Sequence, residues 1–220
     1  MITLGHVVLC LVFIELIVYH QTTAMSVTEK IVYGLEESPS SEIVLSLWLL
    51  PPLPTSHNLA NQIDMLSQGG TKGPLFAPHI TVVGGIKCRS EEHVLEVART
   101  LEQELVGFGK IPCLASSKAY TGTGVWNQAL YLAVEPSAAL LNLCQKAHAL
   151  LGMDTEKWTF PPPAGYPHIS MFYGTDNVPE KSKVQSISPF HAFRLALWRT
   201  DPPSLEGVAL WKEVVAFDIK

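Results

Sequence analysis

Positive charge is scarce in this chain: fifteen Lys and Arg stand against twenty Asp and Glu in 220 residues, a formal net charge of −5. A protein that follows a long polyphosphate needs a basic face, so long nucleic acid is not expected as a partner. Cysteine is sparse too. Cys10, Cys88, Cys113 and Cys144 show neither CxxC spacing nor a dense framework, which argues against a zinc ribbon and a disulfide scaffold and fits reduced thiols in a cytosol. Histidines at HExxH or HxxxH spacing are missing around His79 and His168, so no metal is expected, and nothing else implies a cofactor.

Long apolar runs are confined to residues 2–19, which carry Glu15 and have no Lys or Arg before them. That length sits at the lower edge of the ~17–25 residues that span a bilayer, and Thr22-Thr23-Ala24 is a weak echo of a signal cleavage site. Residues 1–24 are therefore read as a hydrophobic leader: an anchor, a signal or a start-site artefact, with Met25-Ser26-Val27-Thr28 as a natural start. Residues 25–41 follow as a linker and residues 42–220 as one domain, and 47% hydrophobic content is ample for its core. The expected compartment is the cytoplasm and the expected state a monomer. A membrane-anchored or secretory alternative rests on the leader alone.

What the chain does have is a repeated tetrapeptide. Pro78-His79-Ile80-Thr81 returns as Pro167-His168-Ile169-Ser170, and each copy runs through apolar residues into glycine, at Gly84 and Gly174. Proline disfavours helix for the residue before it and fixes its own φ near extended values, so each copy is expected to open a β-strand. Alternation then puts His79 with Thr81, and His168 with Ser170, on one face, while Ile80, Val82, Ile169 and Met171 feed a core. A third His-x-Thr, His20-Gln21-Thr22, has neither the proline nor the apolar strand and reads as accidental.

Two imidazoles and two hydroxyls suit phosphodiester hydrolysis. One group must take a proton from the attacking water and another must protonate the leaving oxygen, and histidine does either near neutral pH. Hydroxyl donors two residues from each imidazole are placed to hold the non-bridging oxygens. The copies are far enough apart for each to occupy its own half of a two-lobed domain.

The paired motifs resemble those of the 2H phosphoesterase superfamily, and within it the plant and fungal cyclic phosphodiesterases. Ser46-Leu47-Trp48-Leu49-Leu50-Pro51-Pro52 resembles that family's opening strand, and Thr121-Gly122-Thr123 with Gln128-Ala129-Leu130-Tyr131-Leu132 its central hairpin. The stretch from Tyr166 to Gly174 resembles its second motif. The resemblance implies an α+β, bilobal, LigT-like fold in which two antiparallel sheets face a central cleft with helices outside. It implies His79 and His168 as the acid–base pair, and Thr81 and Ser170 as phosphate-binding groups. The family's tyrosine after the second histidine falls on Tyr173. Strict alternation puts Tyr173 on the face opposite His168, so its participation requires a bulge or twist near Gly174.

The resemblance also implies a small cyclic-phosphate nucleotide as substrate: ADP-ribose 1'',2''-cyclic phosphate and nucleoside 2',3'-cyclic phosphates, the latter opened to 2'-phosphates. Two alternatives stay open: a 2H activity on RNA ends, and a non-catalytic nucleotide-binding protein. The segment Gly124-Val125-Trp126-Asn127 departs from the family pattern and bears on substrate preference.

Along the domain, residues 43–50 read as a buried strand and residues 57–68 as a helix capped by Ser56 and closed by Gly69-Gly70. The first motif strand is expected to end at Gly84-Gly85. Ser90 caps a second helix with a Val94, Val97, Leu101 and Leu105 stripe. Residues 111–120 and 129–134 read as a hairpin through a glycine turn, and Pro136 begins a third helix closed by Gly152. Residues 190–198 and 208–219 read as closing strands.

Overall fold

The computed structural model describes residues 42–68, 72–122, 124–154 and 167–220. The leader and linker at 1–41, the Gly69-Gly70 stop, Thr123 and residues 155–166, with Tyr166 of the second motif, lie outside them. The elements run β1 (Ile43–Leu50), α1 (Thr55–Gln68), β2 (Ile80–Cys88), α2 (Glu91–Leu105), β3 (Ile111–Cys113), β4 (Ala115–Tyr120) and β5 (Leu130–Val134). They continue with α3 (Ala138–Leu150), β6 (His168–Phe172), β7 (Phe190–Ala192), β8 (Arg194–Arg199) and β9 (Lys212–Asp218). The order in the main sheet is β4-β5-β6-β2-β1-β8-β9, every neighbour antiparallel, with β3 and β7 forming a separate ribbon. This is the α+β architecture the sequence implies.

The main sheet is two sets of strands meeting back to back. β2 and β6, the two motif strands, touch through the single residue pair Ile80↔Ile169. Outward from that joint the order repeats, with β5 and β4 on one side and β1 and β8 on the other. The registers match as well: Trp48↔Thr81 on one side corresponds to Tyr131↔Ser170 on the other, and Leu49↔Ile80 to Leu132↔Ile169. The helices cross this joint. α1, which follows β1 in sequence, packs on β6, and α3, which follows β5, packs on β2.

Both motif strands are bulged at equivalent positions. β1 runs from Leu47 to Trp48 while β2 runs from Val83 to Thr81, leaving Val82 without a partner; β5 and β6 do the same around Met171. A bulge inserts one residue and turns the side chains beyond it. β2 holds a second bulge, where Gly84 and Gly85 together face Ser46 and Gly85 takes a φ of 70°. Gly84-Gly85 therefore does not end the strand as expected. The freedom of glycine at positive φ lets β2 kink and continue to Cys88.

Other boundaries shift for identifiable reasons. α1 begins at Thr55, because the Ser56 and Asn58 amides already bond the Pro52 and Pro54 carbonyls at 2.9 and 3.1 Å. Proline, which lacks an N–H, thus leads into the helix and Ser56 lies inside it rather than capping it. α2 is capped as expected, with Ser90 Oγ accepting from the His93 amide. In α3 the cap is Ser137, whose Oγ accepts from the Leu140 amide at 3.2 Å, so Pro136 stands before the helix. The strand expected over residues 111–120 breaks at Leu114, since β3 leaves the main sheet to pair with β7. The core is formed by the side chains that the joint and the helices cover, among them Leu45, Leu47, Leu49, Ile80, Ile169, Leu101 and Leu143, all without exposure.

Candidate active site

Pairing of the two motif strands brings His79 and His168 close enough for the charge of one to lower the proton affinity of the other. The two imidazoles nevertheless sit in different surroundings. His79 precedes the first residue of β2, is 5% exposed, and lies flat against the Trp48 indole, with centroids 3.7 Å apart and planes 7° from parallel. Its Nδ1 is 2.6 Å from the Ala77 carbonyl. A carbonyl only accepts, so Nδ1 carries the hydrogen and Nε2 is the nitrogen left for chemistry. Burial is the main cause that pushes the ring down to about 4. The Ala77 bond opposes the shift and the neighbouring His168 adds to it. His79 is thus neutral at pH 7.

His168, the first residue of β6, is half-buried and meets the edge of Tyr131 at 5.2 Å and 63°. Tyr131 is the register counterpart of Trp48, so each half sets one aromatic ring opposite its motif hydroxyl and against its motif imidazole. Sequence reasoning named neither ring as a site residue. The signal was present in strand pairing rather than in either motif.

The hydroxyls also differ. Thr81 is half-buried, and its side chain has no hydrogen-bond partner among the described residues. Ser170 is buried and donates its one proton to the Asn127 carbonyl at 2.8 Å. Asn127 belongs to the turn Trp126–Gln128, which is also tied to the second motif where the Gly174 amide donates to the Trp126 carbonyl at 2.9 Å. Gly122 closes the same turn from the other side, with its amide on the Gln128 carbonyl at 2.9 Å, and a Cβ there would lie 2.6 Å from that oxygen. Its role is close approach in the hairpin.

Tyr173 is brought into this group. The turn of side chains that the sequence requires near Gly174 is supplied by the bulge at Met171, between Ser170 and Phe172. The phenol is buried, stacked on Phe76 at 3.7 Å and 14°, and next to the Ser170 hydroxyl. Burial raises its pKa well above the ordinary tyrosine range, so it remains a hydrogen donor.

The exposed side chains of Lys87 and Glu42 pair at 2.8 Å, and His148 Nδ1 bonds the Cys144 carbonyl at 2.8 Å within α3. Cys88, Cys113 and Cys144 are unpaired and buried, and burial pushes their thiols up to about 11, 12 and 12. None is a poised nucleophile. Among the described residues, no three His, Cys, Asp or Glu side chains gather where they could hold a metal ion. No helix among them is long and apolar enough to cross a membrane.

An antiparallel frame that sets two Pro-His-Ile-hydroxyl strands against each other is that of the 2H phosphoesterases. The chain belongs to the cyclic phosphodiesterase-like protein family, whose model matches residues 43–199. Among solved structures, TT0787 of Thermus thermophilus is 14% identical with a TM-score of 0.53, over 80% of this chain and 97% of that one. Escherichia coli LigT complexed with 3'-AMP is 11% identical with a TM-score of 0.48, over 82% of this chain and 99% of its own. Kluyveromyces marxianus Usb1 is 11% identical with a TM-score of 0.44, over 80% and 99%. At 14% identity the likeness to TT0787 is one of fold. None of the curated proteins matches the sequence. Family and fold together make this a phosphodiesterase-type enzyme.

Proposed function

We propose that the protein hydrolyses small cyclic phosphates, nucleoside 2',3'-cyclic phosphates and ADP-ribose 1'',2''-cyclic phosphate, by metal-independent catalysis with His79 and His168. The observation that carries this reading is the Ile80↔Ile169 pairing, which turns a sequence repeat into two adjacent imidazoles. One takes the proton of the attacking water, the other protonates the departing ribose oxygen, and a nucleoside substrate leaves as its 2'-phosphate. Each such transfer contributes about 10²–10⁴ in rate. The Ala77 carbonyl fixes the tautomer of His79, so its Nε2 is the working atom.

Thr81 offers the phosphate a hydroxyl that bonds none of the described residues. Ser170 contributes by releasing the Asn127 carbonyl, since a charged phosphate oxygen is a stronger acceptor than a peptide oxygen. Tyr173, held protonated, is the third donor. The reaction needs no second macromolecule.

The test is product analysis in EDTA with 2',3'-cyclic AMP and ADP-ribose 1'',2''-cyclic phosphate, offered to the wild type, His79→Ala and His168→Ala. Monoester products from the wild type, and losses of about 10²–10⁴ in both folded variants, are expected. Turnover of neither compound, or equal activity in all three proteins, would sink the proposal.

A further inference from the structure

Six aromatic rings close a circuit that includes His79. From His79 the contacts run to Trp48 at 3.7 Å, Trp48 to Trp211 at 6.1 Å, Trp211 to Trp126 at 6.1 Å, Trp126 to Tyr173 at 5.4 Å, Tyr173 to Phe76 at 3.7 Å, and Phe76 back to His79 at 6.4 Å. Trp211 also reaches across the circuit to Tyr173, at 6.2 Å. The members divide by exposure. His79, Trp48 and Tyr173 are buried, whereas Trp126, Trp211 and Phe76 are half-buried and keep part of their π surface in water.

Trp211 is the member that sequence gives least reason to expect. It lies beyond residue 199, where the family match ends, on the step from the short turn Glu206–Leu210 into β9. Its polar edge is already committed, because Nε1 donates to the Pro202 carbonyl at 3.1 Å. What remains for a ligand is the flat face. Trp211 and His79 stand one indole apart, with Trp48 touching both. In a nucleoside 2',3'-cyclic phosphate, the base and the phosphate stand one ribose apart.

We infer that Trp211, with Trp126 beside it, is the platform on which the base of a nucleoside cyclic phosphate stacks, so that a base carried directly on the phosphate-bearing ribose is the feature this enzyme selects. The inference rests on the proposed reading of His79 and His168 as the cyclic-phosphate site. Stacking on an indole is tolerant of base identity because every base has a π face. The larger purine face gains more contact than a pyrimidine. ADP-ribose 1'',2''-cyclic phosphate carries no base on the ribose that bears its cyclic phosphate, and its adenine lies beyond a pyrophosphate. It is therefore the weaker of the two substrate classes.

The experiment compares wild type, Trp211→Phe and Trp211→Ala on two matched pairs of compounds. In turnover the pair is 2',3'-cyclic AMP and the base-free methyl riboside 2,3-cyclic phosphate. In calorimetric binding it is adenosine 2'-phosphate and methyl riboside 2-phosphate. Wild type is expected to favour the base-bearing member of each pair by about tenfold or more in KM or Kd. Trp211→Ala should collapse that ratio to within about twofold, with kcat for 2',3'-cyclic AMP little changed, and Trp211→Phe should restore most of it.

A wild type that does not distinguish the two members, or a Trp211→Ala variant that loses equally on both, would overturn the inference. The two readings fail separately. Absence of turnover with the binding preference intact and dependent on Trp211 removes the catalytic proposal and supports the platform. Turnover with no base preference does the reverse.

Discussion

The two motif halves are built to one plan and finished differently. In the first, the imidazole is buried flat under Trp48 and fixed to a carbonyl, while the hydroxyl of Thr81 is half-buried and bonds none of the described residues. In the second, the imidazole of His168 is half-buried against the edge of Tyr131, while the hydroxyl of Ser170 is buried and bonded to Asn127. The halves thus bury opposite members of their imidazole–hydroxyl pairs, the first its imidazole and the second its hydroxyl. Near-identical tetrapeptides thus acquire different chemistry from the strand beside them: an indole that lies parallel to the ring shuts out water more completely than a phenol that meets it at an angle.

The largest expected effect is common to both halves and would break the comparison if it were lopsided. His79→Ala and His168→Ala should each lower the single-turnover rate by about 10²–10⁴. A variant that kept wild-type rates would reduce its half to scaffolding. Next come the isoleucines of the joint. Ile80→Ala and Ile169→Ala both empty a site with no exposure and should each cost about 2–5 kcal/mol in urea unfolding. A large difference between them would show that the joint leans on one half.

A third prediction concerns His79 alone. Its pKa is about 4 in the folded protein against the usual 6.5, so below pH 6.5 the unfolded chain takes up a proton that the folded chain refuses. The corresponding stability is complete above that pH and is lost as pH falls towards 4, by about 3 kcal/mol in all. Unfolding free energies measured between pH 7 and 4 should therefore decline more steeply for the wild type than for His79→Gln. Parallel curves would mean that the ring is not desolvated.

The smallest effect separates the hydroxyls. Ser170→Ala removes the donor to the Asn127 carbonyl and should cost about 1 kcal/mol of stability. Thr81→Val removes no native hydrogen bond among the described residues and should stay within about 0.5 kcal/mol of wild type. Equal costs in thermal unfolding would contradict the opposite commitments of the two groups.

Much of this was legible in the sequence, because the features concerned are local. Proline two residues before an isoleucine announces a strand, and a serine before an apolar stripe announces a cap; both motif strands and the cap of α2 follow from such signals. The bulges at Val82 and Met171 were not legible, since a valine and a methionine look the same in an alternating strand whether or not a partner faces them. Only the register shows it, and with it the reason Tyr173 reaches Ser170. The Asn127 carbonyl is a backbone group and leaves no side-chain signature. Trp211 is far from both motifs in the chain and becomes a neighbour of Trp48 and Trp126 only once β9 has joined the sheet beside β8. The break at Leu114 was hidden because β3 and β4 are equally suited to extended backbone and differ only in which partner claims them.

The helices set a condition on how such a molecule can exist at all. α1 is threaded before the first motif strand yet covers the second, and α3 is threaded before the second yet covers the first. Either half made alone would lack the helix that the other half lays on its motif strand. The chain is a clasp rather than two beads on a string: neither side has a finished form until the other has closed over it.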